Sequence, residues 1–382
     1  MRIAFLTEKY TPDIGGLAIS AERFAQLVHS AGHRISVFAP TINLPASETR
    51  TLPSTGIHVI RFGARKRADD TLVDWFELLV EEHRHEPFDL IHAYFLPQAG
   101  FLAAYAGTYL KVPSVVSARG NDLERAIFDP ARAAHILYAL QHASAVTTNA
   151  NELAKKARAL VPGLEVVVVP NGINPEHFKP LPRNIALAES LGLTNREQTP
   201  RVIGFAGELR EKKGLHALLS ACAQVNKLHP IILLIVGDVR AGEDKQQLEE
   251  FKLSHPNVQV IVTGFVSHRD LPAYYSLMDV FVQPSLRDGL PNSLLEAMAC
   301  ERAVVGTPVG GIYDAVSDCG NGRLVRANDA MELAGAITEL LTNEPLRKKL
   351  GGAARLTVMH QFTPQAELEG NLAAYRRLGL QV

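Results

Sequence analysis

Strand-length apolar runs separated by amphipathic stretches recur along the whole chain, and this alternation restricts the fold more than any other feature. In the first half the runs are Ile3–Leu6, Ile35–Phe38, Ile57–Phe62, Leu90–Tyr94, Ser114–Ala118, Ala145–Thr148 and Glu165–Val169. Between the first two lies a loop with Gly15 and Gly16, then Phe24, Leu27, Val28 and Ala31 at helical spacing, closed by Gly32. Strands without a polar face, joined by helices, specify a parallel sheet covered on both sides. The segment PNGINP from Pro170 to Pro175, followed by Pro180 and Pro182, reads as a linker.

The pattern then restarts with Val202–Ala206, Ile231–Val236, Val258–Val262, Val280–Val282, Ala303–Val305 and Leu324–Val325. A helix is expected to begin at Ser267, with Asp270 completing a capping box, and the chain from about Ala330 onward is mostly helical. The reading is α/β: two doubly wound domains of similar size, whose sheets meet across a cleft at their strand carboxyl ends. Ligands of open α/β sheets bind at that edge.

A chain of 382 residues suits two such domains. A formal net charge of −1 gives no global attraction to nucleic acid or to an anionic membrane. The three cysteines, Cys222, Cys300 and Cys319, form no CxxC pair and read as reduced and structural, in an intracellular protein. No apolar run approaches the roughly 18 residues of a membrane span. The start, MRIAFLTEKYTPD, is broken by Glu8, Lys9 and Asp13 and does not read as a signal peptide. The basic run Arg65-Lys66-Arg67 reads as a solvated loop, with contact to phospholipid as the alternative.

Residues just after strands carry the chemistry. Gly15-Gly16 lets the backbone approach a ligand at a helix amino terminus, although a tight turn explains it equally. The full GxGxxG fingerprint is absent, which argues against a nicotinamide or flavin enzyme. In GELREKKG, Gly207–Gly214, Arg210, Lys212 and Lys213 suit a phosphate, while Glu208 and Glu211 could neutralise them. Both Arg210 and Lys213 fall in an expected exposed turn, so truncating them should spare folding. In PSLRDGLPNSLLEAMAC, Pro284–Cys300, Asn292 is a candidate N-cap and Glu296 sits near the first helical turn. Helix-terminal amides there offer an anion site, Glu296 can accept from a ribose diol, and Asp288 from hydroxyls of an attached sugar. The alternative is that Asp288 caps a turn and Glu296 meets the helix dipole. No Asp-x-Asp pair is present, and His83 and His85 point to different helix faces, so no metal site is expected.

These stretches together resemble the retaining, nucleotide-sugar-dependent glycosyltransferases of family four (group 1), with the GT-B fold. The resemblance runs through PDIGGLAISAERFAQLVHSAGHRISVFAP, PNGINPEHFKP, GELREKKGL, LLIVGD, VTGFVSHRDLPAYYSLMDVFVQPS, RDGLPNSLLEAMAC and VVGTPVGGIYDAV. It implies a Rossmann-like acceptor-side domain over 1–172, joined by a C-terminal helix at about 361–382, and a donor-binding domain over 173–360. Arg210 and Lys213 resemble the diphosphate-binding pair, and Glu296 the ribose-holding second acid of a Glu-x7-Glu motif. Asp288 stands at the first acid, which contacts the donor sugar. Gly289, Leu290, Pro291 and Asn292 supply amides between them, Gly264 to Val266 border the base, and Gly15 and Gly16 lie between donor phosphates and acceptor. Several positions depart from the family: Asp for Glu at 288, Gly207-Glu208 where Gly-Arg is frequent, His92-Ala-Tyr94 for His-x-His, and Arg119 in SARGND for a histidine. Tyr94, Arg119 and Asn121 are thereby the expected acceptor or sugar side.

The implied activity is metal-independent retaining transfer of a sugar, UDP- or GDP-linked, to an acceptor hydroxyl. The nucleoside diphosphate sugar is a co-substrate, and no cofactor is expected. The acceptor is a saccharide, a lipid-linked compound or a small molecule. No nucleic acid partner is expected, and the location is cytoplasmic with at most peripheral contact at the inner membrane surface. A non-catalytic nucleotide-sugar-binding protein and a GT-B sugar-nucleotide epimerase are the alternatives.

Overall fold

The computed structural model describes residues 1–13, 15–46, 48–54, 56–193 and 200–382, so Ile14 of the glycine-pair motif lies outside the described residues. The chain divides into two compact units, Met1–Asn171 with Pro364–Val382, and Gly172–Thr363.

The first unit is built on eight strands: β1 (Arg2–Thr7), β2 (Arg34–Thr41), β3 (Thr49–Ser54), β4 (Ile57–Gly63), β5 (Leu90–Tyr94), β6 (Ser114–Ala118), β7 (Ala145–Thr148) and β8 (Val166–Val168). Their order is β3-β4-β2-β1-β5-β6-β7-β8. Ile3 of β1 pairs in parallel with Ile35 of β2 on one side and Leu90 of β5 on the other. Both faces are covered. Trp75, Leu79, Leu102 and Ile136 pack on one side, and Phe5, Phe24, Val28 and Tyr375 on the other. Among the described residues, the one antiparallel member is the edge strand β3, against β4. Its sequence, TRTLPS, has no apolar run to mark it.

The second unit has six strands: β9 (Arg201–Ala206), β10 (Ile231–Val236), β11 (Gln259–Val262), β12 (Val280–Gln283), β13 (Ala303–Gly306) and β14 (Arg323–Leu324). They run in the order β11-β10-β9-β12-β13-β14, all parallel. β10 is buried along its whole length, as its unbroken IILLIV requires. The expected capping box at Ser267 is absent. Asp270 N donates to Ser267 O in a turn, and the helix begins at Leu271 with no side-chain cap.

The final helix, Pro364–Arg377, belongs to the first unit. Tyr375 is fully buried, and its hydroxyl lies 2.6 Å from His92 Nδ1. Glu367 pairs with Arg23 at 2.6 Å. Cys222 and Cys300 are buried free thiols, each pushed up to about 12 mainly by burial, and therefore poor nucleophiles.

Candidate functional site

β9 ends at Ala206, and the chain passes through Gly207–Arg210 into a 3₁₀ turn, Glu211–Lys213, before the helix Leu215–Leu228. Arg210 pairs with Glu208 at 3.3 Å, while its Nε is buried without a partner among the described residues. Lys213 Nζ is in contact with Asp288 Oδ2, and Ser285 Oγ donates to the same oxygen at 3.2 Å. Leu286 N donates to Lys212 O at 2.9 Å. The basic turn after β9 and the acidic loop after β12 are therefore one assembly. Lys213 is less open than an exposed turn implies, with its side chain 18% accessible.

That acidic loop is pinned from below. Thr307 Oγ1 donates to Ser285 O at 2.5 Å, and Gly311 N to Gly289 O at 2.6 Å. Gly310 has φ +53°, and a β-carbon there would collide with the Asp288 carbonyl oxygen. Asn292 is not the N-cap. Pro291, extended, precedes the helix Asn292–Ala299, and no side chain caps it. Pro291 also carries no N–H, so it cannot supply an amide. Gly289, Leu290 and Asn292 retain theirs.

Glu296 is 3% exposed and is held by two donors: the Tyr275 hydroxyl to Oε2 at 2.8 Å, and His268, whose Nε2 lies 3.1 Å from Oε1. Burial, and Glu296 beside it, keep the Tyr275 phenol well above its ordinary range, so it remains a donor. Gly264, with φ +70°, donates its N–H to Gly237 O at 3.1 Å. Val266, two residues on, packs against the core beneath the helix Asn292–Ala299.

In the first unit, Gly15 has φ +127° and precedes the helix Gly16–Ser30, which has no side-chain cap. A β-carbon at Gly15 or Gly16 would meet nothing within 4 Å. The segment leading to them is fixed by Arg61, 4% exposed, which donates to both Asp13 carboxylate oxygens at 3.0 Å and to Tyr10 O at 2.9 Å.

Tyr94, expected on the acceptor or sugar side, is fully buried, with its ring against Phe5 and Phe24 at 5.0 and 5.1 Å. The strand turns it into the core. It acts on its surroundings by carrying the Arg119 guanidinium, 3.6 Å from its ring centroid. Arg119 Nη1 in turn donates to Asn171 Oδ1 at 2.8 Å. Asn121 opens a short helix, Asn121–Glu124.

Two acids in this region escaped the sequence reading. Asp122, fully buried, accepts from the backbone N–H groups of Arg119, Gly120 and Leu123 at 2.8–3.2 Å. Burial pushes its carboxyl up, against the pull of those N–H groups. Glu8 stands one residue past β1, and its Oε1 is buried without a partner among the described residues. Burial and the neighbouring Asp122 raise it to about 7, opposed by the Gln98 backbone N–H and by Arg132 and Lys9. The signal was present, since the residue after a strand's carboxyl end faces the ligand edge. Glu8 was instead read as an interruption of an apolar run. Among the described residues, no group of three or more His, Cys, Asp or Glu side chains could hold a metal ion.

Comparison with known proteins locates both units. The family description "Glycosyltransferase Family 4" matches residues 14–177, and "Glycosyl transferases group 1" matches 192–357. An uncharacterized glycosyltransferase of Methanocaldococcus jannaschii is 26% identical, over 95% of both chains. The N-acetyl-alpha-D-glucosaminyl L-malate synthase of Bacillus anthracis is 24% identical over 92% of this chain and 91% of its own. Among solved structures, sucrose-phosphate synthase from Thermosynechococcus elongatus superposes with a TM-score of 0.82 at 23% identity, over 99% of this chain and 98% of that one. Anabaena HepE in complex with UDP gives 0.80 at 22% identity, over the whole of both chains. With matches across both halves and over the full length, the chain belongs to the group 1, family 4 glycosyltransferases and has their GT-B fold.

Proposed function

We propose that this glycosyltransferase moves a sugar from a nucleoside diphosphate sugar to an acceptor hydroxyl, with retention at the anomeric carbon and without a metal ion. The observation that carries the reading is the contact of Lys213, in the turn that also carries Arg210 and its partner Glu208, with Asp288 beside a helix amino terminus. Two cations and the amides of Gly289, Leu290 and Asn292 suit a diphosphate, which would otherwise need a metal to offset its charge.

In this reading the second unit takes the donor. Glu296 accepts from the ribose diol, Gly264 to Val266 border the base, and Asp288 reaches the sugar while holding Lys213. The first unit takes the acceptor, and Gly15 and Gly16 belong to it. Arg119 and Asn121 lie on the acceptor side, and Tyr94 supports Arg119 from below. The bond from the anomeric carbon to the phosphate oxygen breaks as the bond to the acceptor oxygen forms on the same face. The acceptor proton passes to the departing phosphate oxygen. The protein contributes position and charge stabilisation, the latter chiefly through Arg210 and Lys213.

HepE has been solved with UDP and with UDP-glucose, which makes UDP-glucose the first donor to try. The test is nucleotide release from UDP- and GDP-sugars in a chelator-containing buffer, with and without a panel of saccharide, lipid-linked and small-molecule acceptors. Acceptor-dependent release that survives chelator, giving a product of unchanged anomeric configuration, is expected. Release that stops with chelator and returns with magnesium or manganese would remove the metal-independent mechanism.

A further inference from the structure

Glu296 is buried, and each of its carboxylate oxygens already has a partner. Its side chain is 4% exposed, with Tyr275 on Oε2 and His268 on Oε1. A carboxylate accepts, so His268 Nε2 carries the hydrogen. The two donors differ in permanence. Tyr275 is 1% exposed, and its hydroxyl also reaches Ser293 O at 3.3 Å. His268 lies in the loop before the helix Leu271–Tyr275, with its side chain 37% exposed. Its ring is held on one side by an edge contact with Phe178, centroids 5.1 Å apart, and by His177 at 6.0 Å.

We propose that His268 is a specificity-determining residue of the nucleotide site: its imidazole stands in for one ribose hydroxyl on Glu296 Oε1 and is displaced when a full 2′,3′-diol arrives. This rests on Glu296 being the ribose acceptor. A ribose returns two hydrogen bonds to the carboxylate and replaces the imidazole. A deoxyribose returns one and leaves the imidazole in place. The native site therefore distinguishes the two ligands only by the difference between a hydroxyl bond and an imidazole bond to the same oxygen. Without the imidazole, Oε1 waits unpaired, and the ribonucleotide alone gains the difference.

The test is calorimetric titration of the full chain with UDP, GDP and ADP and with their 2′-deoxy and 3′-deoxy counterparts. A typical net hydrogen bond corresponds to roughly a three- to tenfold change in affinity. His268→Ala should tighten the ribonucleotide by about that factor, change the deoxynucleotides by less than about twofold, and so widen their ratio. His268→Gln, which retains a donor, should resemble the native protein. The His268 imidazole nitrogen resonances should move on adding the ribonucleotide and stay in place on adding the deoxy forms. Weaker ribonucleotide binding by His268→Ala, or an unchanged ratio, would overturn the displacement. Glu296→Gln separates the two readings. If it leaves the affinity for the ribonucleotide unchanged, or if none of the three diphosphates binds the native chain, the ribose reading itself falls and this inference with it.

Discussion

Replacing Lys213 with methionine keeps the aliphatic stem and removes the ammonium from a carboxylate that has little other support. Asp288 is 9% exposed, and among the described residues Ser285 Oγ is the other donor to Oδ2. Breaking a buried ion pair costs about 3–5 kcal/mol because the remaining charge is stranded. This pair is not fully enclosed, its side chains being 18% and 12% exposed, so about 2–4 kcal/mol is expected for Lys213→Met. Asp288→Asn should cost less, about 1–2 kcal/mol, because the freed ammonium can extend to water while the buried carboxylate cannot. The double variant should lie well short of the sum, with a coupling of about 1–3 kcal/mol. Urea denaturation of the four proteins at neutral pH measures all three quantities. The same Lys213 variant should lower turnover by on the order of 10²–10³ if the ammonium is a preorganised donor to the leaving phosphate. Lys213→Met within about 0.5 kcal/mol of the native protein, or strict additivity in the double variant, would show that the contact does not hold the loop and that the exposed-turn expectation was right.

Other outcomes follow from the same physics. Glu8, raised to about 7, keeps a proton in the folded protein that the unfolded chain releases near its ordinary value of 4.5, so this group's contribution to stability falls as pH rises from about 4.5 to 7. Glu8→Gln should flatten that slope and be more stable than the native protein at pH 8, by about 1–3 kcal/mol in denaturant titrations; a parallel pH profile for the two proteins would contradict the raised value. Gly310→Ala should destabilise by at least about 2 kcal/mol, since the new β-carbon meets the Asp288 carbonyl and φ is +53°; an unchanged melting midpoint would show that the loop can yield.

The sheets were legible because strands of a buried parallel sheet have nowhere to place polar side chains. All thirteen expected runs became strands, from Ile3–Leu6 to Leu324–Val325, with ends shifted by a few residues at most. β3 was missed for the converse reason: an edge strand with a proline and exposed threonines has no periodicity to read. Local chemistry at helix starts was less legible. Ser267 and Asn292 are good capping types, yet Ser267 is used in a turn, and Pro291 rather than Asn292 precedes its helix. Arg210, Lys213, Asp288 and Glu296 were named as candidates from residue type and from their place in or just beyond strand-to-helix loops. Their partners were not. Lys213 and Asp288 are 75 residues apart in the chain, and only the adjacency of β9 and β12 brings their loops together. Tyr275 and His268 likewise gave no sign in the sequence of closing on Glu296.

The helix Pro364–Arg377 has a consequence for how the protein is made. It supplies Tyr375 to His92 and Glu367 to Arg23, yet the whole of the second unit intervenes between it and the rest of the first. A nascent chain that has emerged as far as Asn171 holds every described strand of its sheet, but the apolar side around Phe24 and Tyr94 still lacks Leu368, Leu372 and Tyr375. That surface stays open while the second unit is synthesised, at about 5–20 residues per second, so the interval is on the order of tens of seconds. The first unit to be translated is thus the last to be completed.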